Sequence, residues 1–410
     1  VSFFKYLFGE TRATTTNFTD AWGRDVDWNG PSRTATGVNV NAHKALQLIA
    51  VWACVRLIAE SIASLPTAAF VRKGQVRELY QPRPGWMFNP NPEQIAMVFW
   101  EQALTSLLLY GNAYVYLVRD RDTTVLELWP LHPDYVSPRR DGPNYRLQYH
   151  VIDPLTGATS TLTPGVDIMH IPGFSMPGSL VGLNPIQYAK QAIGLGLGTE
   201  EFGGRFFSQG STASVVLEAE KEVSETALKR AAEAWKKAHS GLKNAHFPVL
   251  LEGGLTAKPL SIPNDQAQFL ETRGFQLNEI ARFFRVPPHM ISDVAPTTSW
   301  GTGIEQQGIG FVVYTLRPWI ERVEQSATIL FPAESRAFMK FNVDGLLRGD
   351  LKGRYDAYAT GVNNGFLSVD EVRALEDRPP LPGGKGQAFR QPLNFGPVGD
   401  PTPKQGNNGA

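Results

Sequence analysis

NDQAQFLETRGFQLNEIARFFRVPPHMISDVAPTTSWGTGIEQQGIGFVVYTLRPWIERVEQSATILF, residues 264–331, reads as two helices joined by a loop that packing does not require. Asn264 is a good N-cap, Asp265 sits in the first turn, and Ala267, Leu270, Leu277, Ile280 and Phe284 supply the apolar face. Pro287 and Pro288 stop this helix. The second runs from about residue 303 to 331, roughly 40 Å at 1.5 Å per residue, and Pro318 inside it predicts a kink. Between them, VPPHMISDVAPTTSWGTG has the Pro, Ser, Thr and Gly content of a loop. Met290, Ile291 and Trp300 mark it as one that touches something.

Working outward, Asn184-Pro185 starts a helix carried to about residue 209. Gly194, Gly196 and Gly198 weaken it by roughly 1 kcal/mol each relative to Ala and permit close approach of another element. Residues 210–263 read as a compact insertion, strand, helix, strand, strand. Its helix is capped by Ser224, ended by Gly241 and striped by Leu228, Ala231, Trp235 and Ala238, with Lys229, Arg230, Lys236 and Lys237 opposite. On the N-terminal side, Asn41 caps a helix to residue 64, and a second helix covers residues 93–110. Gly111-Asn112 turns into the strand AYVYLVRD, which pairs through an Asp-rich turn with VLELWPL. YRLQYHVI, STLTP and DIMHI are further strands, so the body is α+β with a mostly antiparallel sheet. Past the long helix come the strand RAFMKFNVD and two short helices. The first is capped by Asp350 and released by Asn364-Gly365; the second opens on a Ser368/Glu371 capping box. Residues 1–40 form an extended arm and 379–410 a flexible tail.

Composition narrows the function. The chain has 410 residues, enough for several structural regions, and equal numbers of basic and acidic residues, 39 each. A protein that clamps nucleic acid gains affinity from basic excess, which is lacking here. The single Cys54 excludes an intrachain disulfide framework and is expected to be a buried, inert thiol. The most apolar window, LQLIAVWACVRLIAESIASL, contains Arg56 and Glu60, so no membrane span is expected, and no signal peptide is read. LPGGKGQ lacks the Ser or Thr of a phosphate-binding loop, and GLGLG is not preceded by a strand. GFSMPG lacks the second Gly of a nucleophile elbow, and the seven His form no metal spacing. Asp120 and Asp122 are read as turn residues. No catalytic set, metal or cofactor is expected.

QFLETRGFQLNEIARFFRVPP and SWGTGIEQQ resemble the portal proteins of tailed double-stranded DNA bacteriophages. AVWACVRLIAESIASLP, LLLYGNAYVYLVRD, GLNPIQYAKQAIGLGLGTEEF, RFFSQGS, VLLEGGLTAKPLS, FNVDGLLRGD and LSVDEVRALEDRPPLPG extend the resemblance, in order, over residues 41–383. It implies a ring, of twelve copies by the family pattern, built from wing, stem, clip and crown. The wing is 41–183, the first stem helix 184–209 (packed on adjacent copies), the clip 210–263 and the second stem helix 264–286. A tunnel loop follows at 287–303, then a long kinked wing helix and strand at 304–343 and crown helices at 344–378. Asp293, Pro296, Thr297, Thr298, Ser299, Trp300, Gly301 and Gly303 belong to that loop. Asp265, Gln268, Glu271 and Gln276 are the candidates to face the channel, and Lys229, Arg230, Lys236 and Lys237 to meet the packaging motor.

The implied function is a channel at one capsid vertex for packaging and ejecting DNA, held non-specifically, in a virion assembled in the host bacterial cytoplasm. The implied partners are the major capsid protein and scaffold, the terminase large subunit and the head-tail connector. The alternatives are a structural head or tail ring that never conducts DNA, and a monomeric hydrolase. Two departures stand out. Arg285 replaces the family's Gly before Val-Pro, so the stem helix is expected to end through Pro287 and Pro288 rather than a left-handed Gly. Asp370-Glu371 stands where the family commonly has Asn-Glu.

Overall fold

The computed structural model describes residues 18–19, 25–26, 32–74, 76–141, 146–208, 215–219, 226, 229–230, 233, 255–259, 265–291, 302–343, 351–376 and 378–389. Val1–Asn342 and Val343–Ala410 form two compact units.

In the first unit, β1 (Phe18–Thr19) pairs with β2 (Asp25–Val26), and β3 (Ser32–Arg33) with β4 (Asn39–Val40), both antiparallel. Residues 32–40 are thus a packed hairpin, not the end of an extended arm. Asn41 caps α1 (Ala42–Ala45), its side chain accepting the Lys44 N–H at 2.8 Å. The single helix expected over residues 41–64 is in fact two, because Leu48 is extended (φ −76°, ψ 115°) and α2 (Ile49–Ala63) starts after it. No breaker residue marks this interruption. Leu48 is buried, and its side chain lies 2.9 Å from where a Cβ on Gly196 would stand, so tertiary packing accompanies the break.

α2 buries Val51, Cys54, Val55, Ile58 and Ile62, and packs on α3 (Ala96–Tyr110), which buries Phe99, Trp100, Leu104, Leu107 and Leu108. Full burial of such side chains contributes about 1.5–3 kcal/mol each. Burial pushes the Cys54 thiol up to about 12, which keeps it protonated and unreactive. α3 starts three residues later than expected. The Asn91 side chain accepts the Glu93 N–H (3.0 Å) and donates to the Leu128 carbonyl (2.9 Å), holding this segment as a turn.

The first unit also holds, among the described residues, three antiparallel sheets of three strands each. β5 (Thr67–Lys73) bonds to β6 (Val76–Leu79), and β7 (Asn112–Arg119) to β8 (Val125–Leu131). β10 (Gln148–Ile152) stands between β9 (Val136–Arg139) and β11 (Thr159–Leu162), and β12 (Ile168–Pro172) completes the β7 sheet. The Asp120 carboxylate accepts the N–H groups of Asp122 (3.0 Å) and Thr124 (2.8 Å), the turn role expected of it. Tyr114, Val136, Tyr149, Val151, Leu162 and Ile168 form one buried cluster across two of these sheets. α4 (Pro185–Tyr188) and α5 (Lys190–Ser208) follow. β13 (Val215–Ala219) then pairs antiparallel with β14 (Leu255–Pro259), as expected at the ends of the insertion. After α6 (Asp265–Phe284), α7 (Thr302–Gly310) and α8 (Arg317–Ser326), β15 (Ala337–Phe341) joins the free side of β5, burying Ala337, Met339 and Phe341.

The second unit contains α9 (Leu351–Asn363) and α10 (Val369–Leu375). Gly365 turns between them at φ 73°, and the Ser368/Glu371 capping box is formed in both directions, at 2.7 and 3.2 Å. The Leu381 N–H donates to Asp370 Oδ1 (2.8 Å), the Asp370 N–H to the Gly386 carbonyl (3.0 Å) and Arg373 Nε to the Pro379 carbonyl (2.7 Å). The start of the expected tail therefore folds back onto α10. Asp350 lies outside the described residues.

Candidate functional site

The helix–loop–helix unit is supported by α5, α6 and the body beneath them. Asn184 caps α4 by accepting the Gln187 N–H at 3.2 Å, and α5 continues after a single non-helical residue, Ala189. α5 and α6 pack together. Gln276 on α6 is buried and donates to Thr199 Oγ1 at 3.2 Å. Gln276 was expected to face the channel; its side chain instead serves this helix–helix contact. The Arg273–Glu200 pair, at 3.9 Å and partly exposed, adds little. Asp265, Gln268 and Glu271 lie on α6, but their side chains lie outside the described residues.

The glycines of α5 have a different neighbour from the one the resemblance implied. A Cβ on Gly194 would stand 2.5 Å from Thr34 Cγ2, and one on Gly198 would be 3.7 Å from Thr36. The Thr36 hydroxyl donates to the Gly194 carbonyl (3.2 Å) and the Ala35 N–H to Gln191 Oε1 (3.0 Å). Within one subunit, residues 34–48 occupy this face. Further around the helices Tyr188, Leu195 and Phe202, spaced seven apart, remain exposed, as does Phe275 on α6.

α6 does end in a left-handed residue. Arg285 has φ 58°, the Val286 N–H reaches back to the Ala281 carbonyl (2.8 Å) and the Arg285 N–H to Arg282 (3.1 Å), a Schellman closure. The prolines come after the termination. Ile280, Ala281, Phe284 and Val286 are buried, and α6 packs on α2. A 3-10 turn, Pro288–Ile291, leaves Met290 and Ile291 half-buried. Residues 292–301, with Asp293, Pro296, Thr297, Thr298, Ser299, Trp300 and Gly301, lie outside the described residues. α7 begins at Thr302, so Gly303, expected in the loop, is helical.

The irregularity expected at Pro318 takes the form of a π-helical segment, Phe311–Leu316, immediately before it. Pro318 has no N–H to continue the α ladder, and the Arg317 N–H bonds five residues back to Val312. This segment buries Phe311, Val312 and Leu316, and Thr315 Oγ1 donates to the Arg285 carbonyl at 2.5 Å. One hydroxyl thereby ties the helix after the loop to the end of the helix before it. Lower down, Arg322 Nη1 donates to the carbonyls of Pro172 (3.2 Å) and Gly173 (2.8 Å). Glu324 accepts from Lys340 and from the Phe341 N–H (2.8 Å); burial raises its pKa, opposed by those hydrogen bonds.

The entry to α4 is held by a buried knot that sequence reading missed. A Cβ on Gly111 (φ 74°) would stand 2.0 Å from the Leu183 carbonyl oxygen, so only glycine fits. The Asn112 amide donates to the Gly182 carbonyl (3.0 Å) and its oxygen accepts the Gly182 N–H (2.7 Å). His170 Nε2 lies 3.0 Å from the same oxygen, and Nδ1 lies 3.0 Å from the Tyr149 hydroxyl. A neutral ring protonated at Nε2 satisfies both contacts. Burial depresses the His170 pKa to about 3, and Tyr114 stacks on the ring at 4.5 Å. This contact was not readable, because Asn112 and His170 meet only when β7 pairs with β12.

In the insertion, Lys229 and Arg230 are exposed positions of a helix, while Lys236 and Lys237 lie outside the described residues. Among the described residues no cluster of His, Cys, Asp or Glu could hold a metal, and no helix is long and apolar enough to cross a membrane.

An α+β body of antiparallel sheets, with α6 and the helical run from Thr302 packed on it and the β13–β14 pair ahead of them, defines a portal-type chain. A model of the family described as phage portal protein matches residues 49–377, and the chain belongs to that family. It is similar to the probable portal protein of Streptomyces phage phiC31, 41% identical over 380 residues, spanning 89% of this chain and 82% of that one. It is also similar to the portal protein of Enterobacteria phage HK97, 32% identical over 383 residues, spanning 91% and 88%. A chain in the neck of a native gene transfer agent particle, computed with C12 symmetry, shares the fold. Its TM-score is 0.57 at 23% identity over 86% of this chain and 97% of that one. The chain is accordingly a structural component of a phage virion, the portal of the head.

Proposed function

We propose that twelve copies close into a ring at one capsid vertex and that double-stranded DNA passes through its centre during packaging and ejection. The observation that carries this reading is the locked helix–loop–helix. Thr315 and the Schellman turn at Arg285 tie the helical run after residue 302 to the end of α6, on either side of the expected loop. Apolar side chains left exposed along α4, α5 and α6 support lateral contact between copies. In this reading residues 293–303 line the tunnel, Trp300 makes the steric contact and Gly301 supplies the flexible point. Asp265, Gln268 and Glu271 present carboxylates and amides that repel or slide along phosphate. Lys229, Arg230, Lys236 and Lys237 lie on the clip face that meets the terminase large subunit and later the head-tail connector. Capsid protein and scaffold contact the wing, and assembly occurs in the host cytoplasm. The role is structural, with ATP hydrolysis belonging to the terminase.

Deleting residues 296–301 tests the loop. Rings of normal mass by native mass spectrometry, with heads that fill poorly with DNA, are expected. Normal filling would make the protein a ring that does not grip its DNA. A wild-type protein that stays monomeric with scaffold and capsid protein present would overturn the ring itself.

A further inference from the structure

The sheet β15-β5-β6 carries a row of cations on one face that form no ion pair among the described residues. Phe338, Phe70 and Leu79 are cross-strand partners; two residues along, Arg72 stands directly opposite Arg77. Arg336, just ahead of β15 in a left-handed conformation (φ 51°), lines with Arg72 an open cleft of about 420 Å³. All three arginines are exposed, and none pairs with an acid among the described residues. Of the nearby acids, Glu78 pairs with Lys73 (2.6 Å) and Glu321 (3.6 Å) and Glu324 with Lys340, while Glu334, exposed in the turn before Arg336, pairs with none of the three arginines. Arg72 lies 5.8 Å from the Phe338 ring centroid and Arg77 5.9 Å from that of Phe70, which holds both side chains against the sheet.

Like charges directly opposite in an antiparallel pair are unfavourable, so the isolated subunit gains nothing from this arrangement. An anion resolves it. β6 is an edge strand with all four residues exposed, including Val76 (64%) and Leu79 (60%), and the cleft is walled by Pro332, Ala333 and Phe338. Apolar edge, open backbone groups and guanidiniums side by side match an extended peptide. Added beside β6, such a peptide repeats its carboxylates about every 6.8 Å along the strand, one of them next to Arg77, with Arg72 and Arg336 one and two strands further in at about 4.8 Å per strand. A DNA duplex supplies phosphates but no apolar surface for that edge. We propose that this face docks an acidic, extended segment of a partner protein by strand addition at β6.

The test uses the full-length protein and a fluorescein-labelled ten-residue peptide alternating glutamate with valine and threonine, with its lysine counterpart as control. Anisotropy is expected to rise with the glutamate peptide alone. Affinity should fall at least tenfold in Arg72→Gln/Arg77→Gln/Arg336→Gln, and about threefold in Arg77→Gln, an exposed position that keeps the test readable if the triple variant misfolds. Equal binding by the variants, or no binding by wild type, overturns the proposal. So does tighter binding of a labelled 20-bp duplex, which assigns the row to phosphate. Loss of oligomer mass in a folded triple variant assigns it to contact between copies and overturns it too.

Discussion

Arg285 occupies a left-handed conformation in which a side chain costs of the order of 1–3 kcal/mol. Because the residue is exposed and its carbonyl rather than its guanidinium is engaged, Arg285→Gly is expected to stabilise the protein by about 1 kcal/mol. A lowered or unchanged melting temperature would reveal a role for the side chain. Thr315→Val removes the hydroxyl that satisfies the Arg285 carbonyl and should cost about 1–2 kcal/mol, read by chemical denaturation. His170 gives a pH dependence of fixed sign. Its pKa is about 3 in the fold against an ordinary 6.5, so below pH 6.5 the unfolded chain takes a proton that the folded chain refuses. Stability from this residue is fully present above pH 6.5 and lost progressively towards pH 3. His170→Gln should flatten the fall in melting temperature between pH 7 and 5, and an unchanged slope would remove His170 from the account. The Gly111-Asn112 turn was legible in the sequence, but the partners that make it a knot come from 58 to 70 residues away.

At the scale of elements, α5 separates helix propensity from packing. Gly194→Ala must displace Thr34, a buried residue whose hydroxyl is already bonded to the Val38 carbonyl (2.9 Å), and should destabilise strongly. Gly196→Ala meets only the flexible end of Leu48 at 2.9 Å and should cost less, while Gly198→Ala has ordinary contact distance and should stabilise by up to about 1 kcal/mol. Thermal melts of the three variants check the order, and equal effects would mean that residues 34–48 do not hold this face. The glycine stripe predicted close approach, but only the tertiary structure names the partner. Local signals were reliable where the chemistry is local: Asn41, Asn184 and the Ser368/Glu371 box cap the helices assigned to them. They failed where a distant contact decides, as at Leu48, or where a residue accepts strain, as at Arg285.

For the whole molecule, the exposed stripe of Tyr188, Leu195 and Phe202 should be the seam between copies. Leu195→Glu/Phe202→Glu is expected to leave circular dichroism unchanged and shift native mass from ring to free subunit; intact rings would place the seam elsewhere. The sequence by itself determined the α+β class, the helix–loop–helix unit, the inert Cys54 and the family, because helix caps, apolar periodicity and ordered motifs are local and survive in one dimension. Tertiary structure alone decided that residues 32–40 pack on α5 and that Gln276 turns towards Thr199. It alone decided that Thr315 in a π segment bonds the Arg285 carbonyl at the end of α6 and that three arginines share one face. Each depends on side chains far apart in the chain meeting at a few ångströms, and hydrogen bonding, steric exclusion and charge at that distance have no signature in residue order.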